Sequence, residues 1–201
     1  MIPGASKLRI TISPGHGGSD PGAIGVSGIK EADLNLQVSL LLYSMLLNDG
    51  YDTLLLRHRR DEIISLPSRT AYSNEFHSDL FVSIHHDAFG SEKARGQTTI
   101  YHRGSVEGKK VAEEIRGELI KVCIMWDEVE NAWKHCKVDE RHDLWVLKRT
   151  ICPAVVIECG FLTNEIEERI LRNPYQQIKI AQHIAIAIWK YFSKGGKLKD
   201  V

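Results

Sequence analysis

The stretch Leu8-Arg9-Ile10-Thr11-Ile12-Ser13-Pro14-Gly15-His16-Gly17-Gly18 constrains the chain more than any other. It opens as a short apolar run suited to a buried strand. It then breaks into Pro and Gly, which cannot continue a strand interior. A histidine stands in the break, and the glycines around it let backbone come close to whatever that side chain holds. In open α/β sheets, the loops at the carboxyl ends of strands bind ligands. Taken alone, the stretch reads as an ordinary turn that contains His. Its partners further along decide between the two.

Residues 19–30 form a long Gly-rich connection without periodicity, the kind that is usually functional or mobile. A helix follows from about Glu31 to Asn48, with Leu34, Val38, Leu41, Leu42 and Met45 at helical spacing and Gly50 past its end. Glu31 falls in the first turn, where the helix dipole favours a carboxylate and where the helix start faces back toward the His16 loop. Tyr51 to Leu56 reads as a second strand. The basic run Arg57-His58-Arg59-Arg60 after it reads as a solvated loop, with one arginine available to an anionic substrate group. Leu66 to Phe76 reads as a helix capped by Ser65, with Pro67 in its first turn. Arg69 and Asn74 lie on it, with hydrogen bonding at the core edge as their expected work.

Asp79 to Ala88 repeats the logic of the first strand, a buried run delivering histidine at its carboxyl end. Side chains alternate along a strand, so His85 and His86 face opposite ways. Gln97 to His102 reads as a strand at a sheet edge, and Val106 to Met125 as a helix. Trp126 to Arg141 is charged and aromatic with weak periodicity, and no element is assigned to it; Leu144 to Leu147 is a short apolar piece. Pro153 to Phe161 is the last strand, apolar until Glu158. A carboxylate there is costly unless paired, hydrogen-bonded or linked to a metal. Glu165 to Leu171 is a helix capped by Thr163 or Asn164, Pro174 opens the final helix, and residues 194–201 read as a flexible tail. Alternating strands and helices predict an α/β fold: a single domain over residues 1–201 with a mainly parallel twisted sheet and helices on both faces.

Lys plus Arg equal Asp plus Glu, 26 against 26, which speaks against a nucleic acid partner. No apolar run is long enough for membrane insertion. Met1 to Lys7 lacks a signal peptide's basic start and apolar core. The four cysteines fit no zinc-finger spacing. Cys152 and Cys159 read as buried thiols, and without an export signal free thiols are expected, although a Cys123–Cys136 disulfide stays open.

Three elements each end in a metal-capable side chain, His16, Glu31 and His85, and a fourth ends in Glu158. Two neutral imidazoles and a carboxylate match a catalytic zinc site with a position left open for water. Zinc brings that water's pKa toward neutrality and polarises a carbonyl. The remaining carboxylate then serves as general base and as acid to the leaving amine. The bland reading of Glu158 is a salt-bridged structural residue.

Residues 13–23, Ser-Pro-Gly-His-Gly-Gly-Ser-Asp-Pro-Gly-Ala, resemble the signature of zinc-dependent N-acetylmuramoyl-L-alanine amidases of the type 3 family. Glu31-Ala32-Asp33-Leu34-Asn35-Leu36 resembles that family's glutamate-bearing helix start. Asp79-Leu80-Phe81-Val82-Ser83-Ile84-His85 resembles its third ligand motif, and residues 153–164 its catalytic-glutamate motif. The motifs stand in the family's order. The resemblance implies one Zn2+ per chain held by His16, Glu31 and His85, with Glu158 catalytic. It implies cleavage of peptidoglycan at the amide joining the lactyl group of N-acetylmuramic acid to L-alanine. Where the family usually has a small residue and then Asn after the last ligand, this chain has His86 and Asp87. His86 is expected to point away from the metal. Asp87, Asn35 and Arg69 are candidates to support the ligands or touch substrate, and Cys159 to pack on the other side of its strand. The competing readings are a zinc peptidase cutting within the stem peptide and an inactive wall-binding module. The expected setting is a phage lysin released through a membrane hole, or the catalytic piece of a secreted autolysin. Oligomeric state is left open.

Overall fold

The computed structural model describes residues 7–126 and 131–196. Among the described residues, six strands form one sheet: β1 (Arg9–Pro14), β2 (Asp52–Leu55), β3 (Leu80–Asp87), β4 (Thr98–His102), β5 (Lys137–Arg141) and β6 (Ala154–Phe161). Their spatial order is β2-β1-β3-β6-β4-β5. β2, β1, β3 and β6 run parallel; β4 is antiparallel to β6, and β5 is parallel to β4. The helices are α1 (Glu31–Asn48), α2 (Leu66–Glu75), α3 (Val106–Ile124), α4 (Trp145–Arg149), α5 (Glu165–Leu171) and α6 (Pro174–Ser193). Among the described residues, none of the helices is long and apolar enough to cross a membrane.

Alternation along the strands divides the core in two. Ile10, Ile12, Val82, Ile84, Val155 and Ile157 join the larger cluster with apolar residues of α1, α3 and α6. Phe81, Ile100 and Val156 join a smaller one with Leu56 and with Val146 and Leu147 of α4. Each fully buried aliphatic side chain contributes about 1.5–3 kcal/mol, so the larger cluster carries most of the stability. His85 and Glu158 have the parity of Phe81 and Val156, which places them on the thinner, smaller-core face at the carboxyl ends of β3 and β6. Cys159 has the opposite parity and is buried in the larger cluster.

Local signals explain the helix starts. The Ser65 hydroxyl caps α2 by accepting from Ser68 N, and Asn164 and Asn173 cap α5 and α6 the same way. α1 has no side-chain cap; the preceding loop supplies one, Pro21 O accepting from Ala32 N and Ala23 O from Glu31 N.

The expected sheet edge is corrected. The 97–102 strand is not an edge: β4 lies between β6 and β5. The edge is β5, drawn from the unassigned 126–141 stretch. Its exposed, charged sequence gives no apolar alternation to read. Residues 127–130 of that stretch lie outside the described residues, while 132–135 form a 3-10 turn. All four cysteines are buried free thiols. Cys136 Sγ stands 2.9 Å from Cys123 Sγ, which in turn donates to Gln97 Oε1. The expected tail falls largely on residues 197–201, outside the described residues; Lys194 before it is ion-paired with Glu114.

Candidate metal centre

His16 sits at φ 57°, in the left-handed region that a residue with a Cβ seldom adopts. Two buried arginines hold the backbone there. Arg69 Nη1 donates to Ser13 Oγ at 2.8 Å and to Pro14 O at 2.6 Å, and its Nη2 donates to His16 O at 2.9 Å. Arg57 Nη2 donates to Gly15 O at 3.1 Å and to Ala32 O at 2.8 Å. Three successive carbonyls, 14 to 16, thus each accept from a guanidinium, and Arg57 also ties the loop to the start of α1. This corrects the reading of residues 57–60 as solvated: His58, Arg59 and Arg60 are exposed, but Arg57 is 0% exposed. Its place at the carboxyl end of β2, on the same sheet edge as the His16 loop, is the signal that distinguishes it. Burial, with a smaller push from the Arg57 charge, lowers the Arg69 guanidinium to about 10.

The loop and α1 bring His16, Glu31 and His85 together. His16 Nε2 lies 3.1 Å from Glu31 Oε2, and His85 Nδ1 lies 3.0 Å from Glu31 Oε1. The three side chains offer ligand atoms all within 4.8 Å of one another. Zinc bonds of about 2.0–2.1 Å in a tetrahedron separate adjacent ligand atoms by about 3.3 Å, so this donor set fits that ion. The backbone makes room for it. A Cβ on Gly15 would fall 2.2 Å from His85 Cε1, and one on Gly22 would fall 2.5 Å from Glu31 Oε2. The other ring nitrogen of His16, Nδ1, is 2.8 Å from Asp20 Oδ2, the carboxylate partner that fixes a metal-binding imidazole. The sequence reading did not single out Asp20; its position four residues after His16 in a turn was the available signal.

Glu31 is buried and fully engaged. Its Oε2 accepts from Ala23 N, and its Oε1 from Asn35 Nδ2 and His86 N. Burial pushes this carboxyl up, but hydrogen bonds and charge from His16 and His85 overcome that and hold it far below the carboxylate range. Reciprocally, the Glu31 hydrogen bond raises His16 to about 9 against the opposing effect of burial. Asn35 and His86 form the next layer on the α1 side of the sheet. Asn35 Nδ2 donates to Glu31, so its Oδ1 accepts from His86 Nδ1 at 2.7 Å. Burial lowers His86 to about 4, which keeps it neutral at pH 7. His86 is therefore a buried prop for Asn35.

Glu158 pairs in register with His85 across β6 and β3. Burial pushes its carboxyl up to about 8, with added pressure from the Asp87 and Glu31 charges. Asp87 is half-buried, with its own carboxyl raised by burial, and it reaches the site as a charge rather than as a ligand. A cavity of about 320 Å³ opens beside these side chains, lined by His16, Asp20, Ser65, Arg69, His85 and Val146. A larger groove of about 740 Å³ between α1 and α6 contains none of the candidate residues.

A family model described as N-acetylmuramoyl-L-alanine amidase matches residues 10–190. The chain belongs to the N-acetylmuramoyl-L-alanine amidase family. Among its relatives, the germination-specific N-acetylmuramoyl-L-alanine amidase of Bacillus subtilis (strain 168) is 29% identical over 97% of this chain and 84% of that protein. N-acetylmuramoyl-L-alanine amidase AmiA of Escherichia coli (strain K12) is 30% identical over 92% of this chain and 76% of that protein. The crystal structure of N-acetylmuramoyl-L-alanine amidase from Clostridium difficile 630 superposes with a TM-score of 0.86 at 29% identity, covering 96% of this chain and 100% of that one. The α/β fold found here is thus the fold of that amidase structure.

Proposed function

We propose that the chain hydrolyses peptidoglycan at the amide between the lactyl group of N-acetylmuramic acid and L-alanine, using one zinc ion held by His16, Glu31 and His85. The convergence of those three side chains beside Glu158 is the observation that carries this reading. Bound there, zinc supplies a Lewis acid for the carbonyl and a water of near-neutral acidity.

The remaining work falls to the chain. His16 and His85 deliver imidazole nitrogens, with Asp20 orienting the first. Glu31 stays ionised across the working range, because its hydrogen bonds outweigh its burial. Glu158, pushed up to about 8, is poised to exchange a proton near neutral pH. As base it takes a proton from the attacking water. As acid it returns that proton to the departing nitrogen of L-alanine. The bacterial cell wall is accordingly the place of action.

The test pairs metal analysis with product identification. The purified chain is expected to hold one zinc, to clear a peptidoglycan suspension, and to release peptides beginning with L-alanine. Glu158→Gln should keep the zinc and lose activity by a factor of about 10²–10⁴. Unimpaired lysis by that variant would overturn the role of Glu158, and cleavage within the stem peptide would overturn the scissile bond.

A further inference from the structure

The register that places Glu158 beside His85 continues outward. Glu158 of β6 pairs with Thr98 of β4, and Thr98 pairs with Lys137 of β5. Residues paired across strands project from the same face. His85, Glu158, Thr98 and Lys137 therefore stand in one row on the smaller-core face of the sheet. Strand spacing of about 4.8 Å puts the Lys137 Cα about 10 Å from that of Glu158.

Thr98 and Lys137 line a cavity of about 400 Å³ together with Lys93, Arg95, Lys134 and Phe161. Among the described residues no carboxylate lines it, in a chain whose acidic and basic residues balance 26 to 26. Among the described residues, Lys93 and Lys137 form no ion pair. Such a concavity of one sign concentrates anions.

The chemistry sets which part of the substrate arrives there. Glu158 returns a proton to the departing nitrogen, so the leaving peptide lies on its side of the ligands. Its continuation follows the row over Thr98. Two extended residues span about 7 Å, enough to bring the residue after L-alanine within reach of the Lys137 ammonium. We infer that this pocket is a carboxylate subsite for the leaving stem peptide, with Lys137 at its near wall binding the free carboxylate of the residue that follows L-alanine. The inference rests on the amidase reading above and adds what that reading leaves open, the group recognised beyond the scissile bond.

The zinc-loaded chain would be assayed on N-acetylmuramoyl-L-alanyl-D-isoglutamate and on its D-isoglutamine counterpart, which carries an amide in place of that carboxylate. The acid should be preferred about tenfold in kcat/KM, mainly through KM, with the preference shrinking as salt is added. Lys137→Met should lower the acid-to-amide ratio about tenfold, and Lys137→Arg should retain most of it. Equal handling of both substrates by the unaltered chain overturns the subsite while leaving the amidase reading intact. So does a Lys137→Met variant that slows both in proportion, which marks a structural role. Failure to cut either compound at the lactyl–alanine amide overturns the amidase reading and the subsite with it.

Discussion

Replacing Arg69 by Met tests whether guanidinium clamps, rather than a bound metal ion, shape the His16 loop. The substitution keeps much of the aliphatic volume but removes four hydrogen bonds, to Ile64 O, Ser13 Oγ, Pro14 O and His16 O. Ser13 Oγ and Pro14 O lie in fully buried bonds. Leaving each without its donor costs about 1–3 kcal/mol, so the acceptors alone account for about 2–6 kcal/mol. Part of that is offset, because the variant no longer holds a dehydrated cation beside Arg57. The expected net loss is about 2–4 kcal/mol in urea unfolding of the metal-free protein. Zinc affinity should fall about 10–100-fold, because His16 loses the backbone that aims it. Arg69→Lys should recover little, since an ammonium cannot replace a planar fork reaching carbonyls on different sides. A metal-free Arg69→Met protein as stable as the parent, binding zinc equally well, would refute the clamp argument.

Two further outcomes follow from the same geometry. Gly15→Ala places a methyl group 2.2 Å from the His85 ring, so zinc titration should show weakened binding in a protein whose circular dichroism is unchanged; parental affinity would mean that the ring has room to shift. His16 is raised to about 9 in the metal-free protein, so its proton must leave when zinc binds, and affinity should rise about tenfold per pH unit between roughly 6.5 and 9. The sign is opposite for metal-free stability: the contribution of the His16–Glu31 pair is complete below the ordinary histidine value of about 6.5 and is lost as pH rises through about 9. A flat zinc affinity over that window, measured by competition with a chelator, would refute the pairing.

The parts that were readable in the sequence are those where burial and polarity change abruptly. β3 and β6 run apolar and then end in His85 and Glu158, and such a break survives in one dimension. α1 announces itself by its leucines, and Ser65 and Asn164 by their position before helices. Arg57 was hidden because four consecutive basic or histidine residues look alike, and only the three-dimensional edge shared by β1 and β2 turns one of them inward. β5 was hidden for a different reason: Lys-Val-Asp-Glu-Arg is an edge whose pairing rests on backbone hydrogen bonds rather than on a buried face. With β5 unplaced, β4 looked like the edge, and no row running from Glu158 to Lys137 could be drawn. Alternation correctly turned His86 to the face opposite His85, but its bond to Asn35 depends on α1 crossing behind β3, which local pattern does not encode.

The carbonyls of residues 14 to 16 are fastened by Arg57 and Arg69, and α1 borrows its first caps from the same loop. In small zinc modules the ion is the keystone, and its removal collapses the arch. Here the masonry stands on its own mortar. Loss of the proposed zinc should be an interruption of service rather than a demolition: an inactive but intact molecule, reloaded as soon as zinc returns, and governed by metal supply rather than by the rate of refolding.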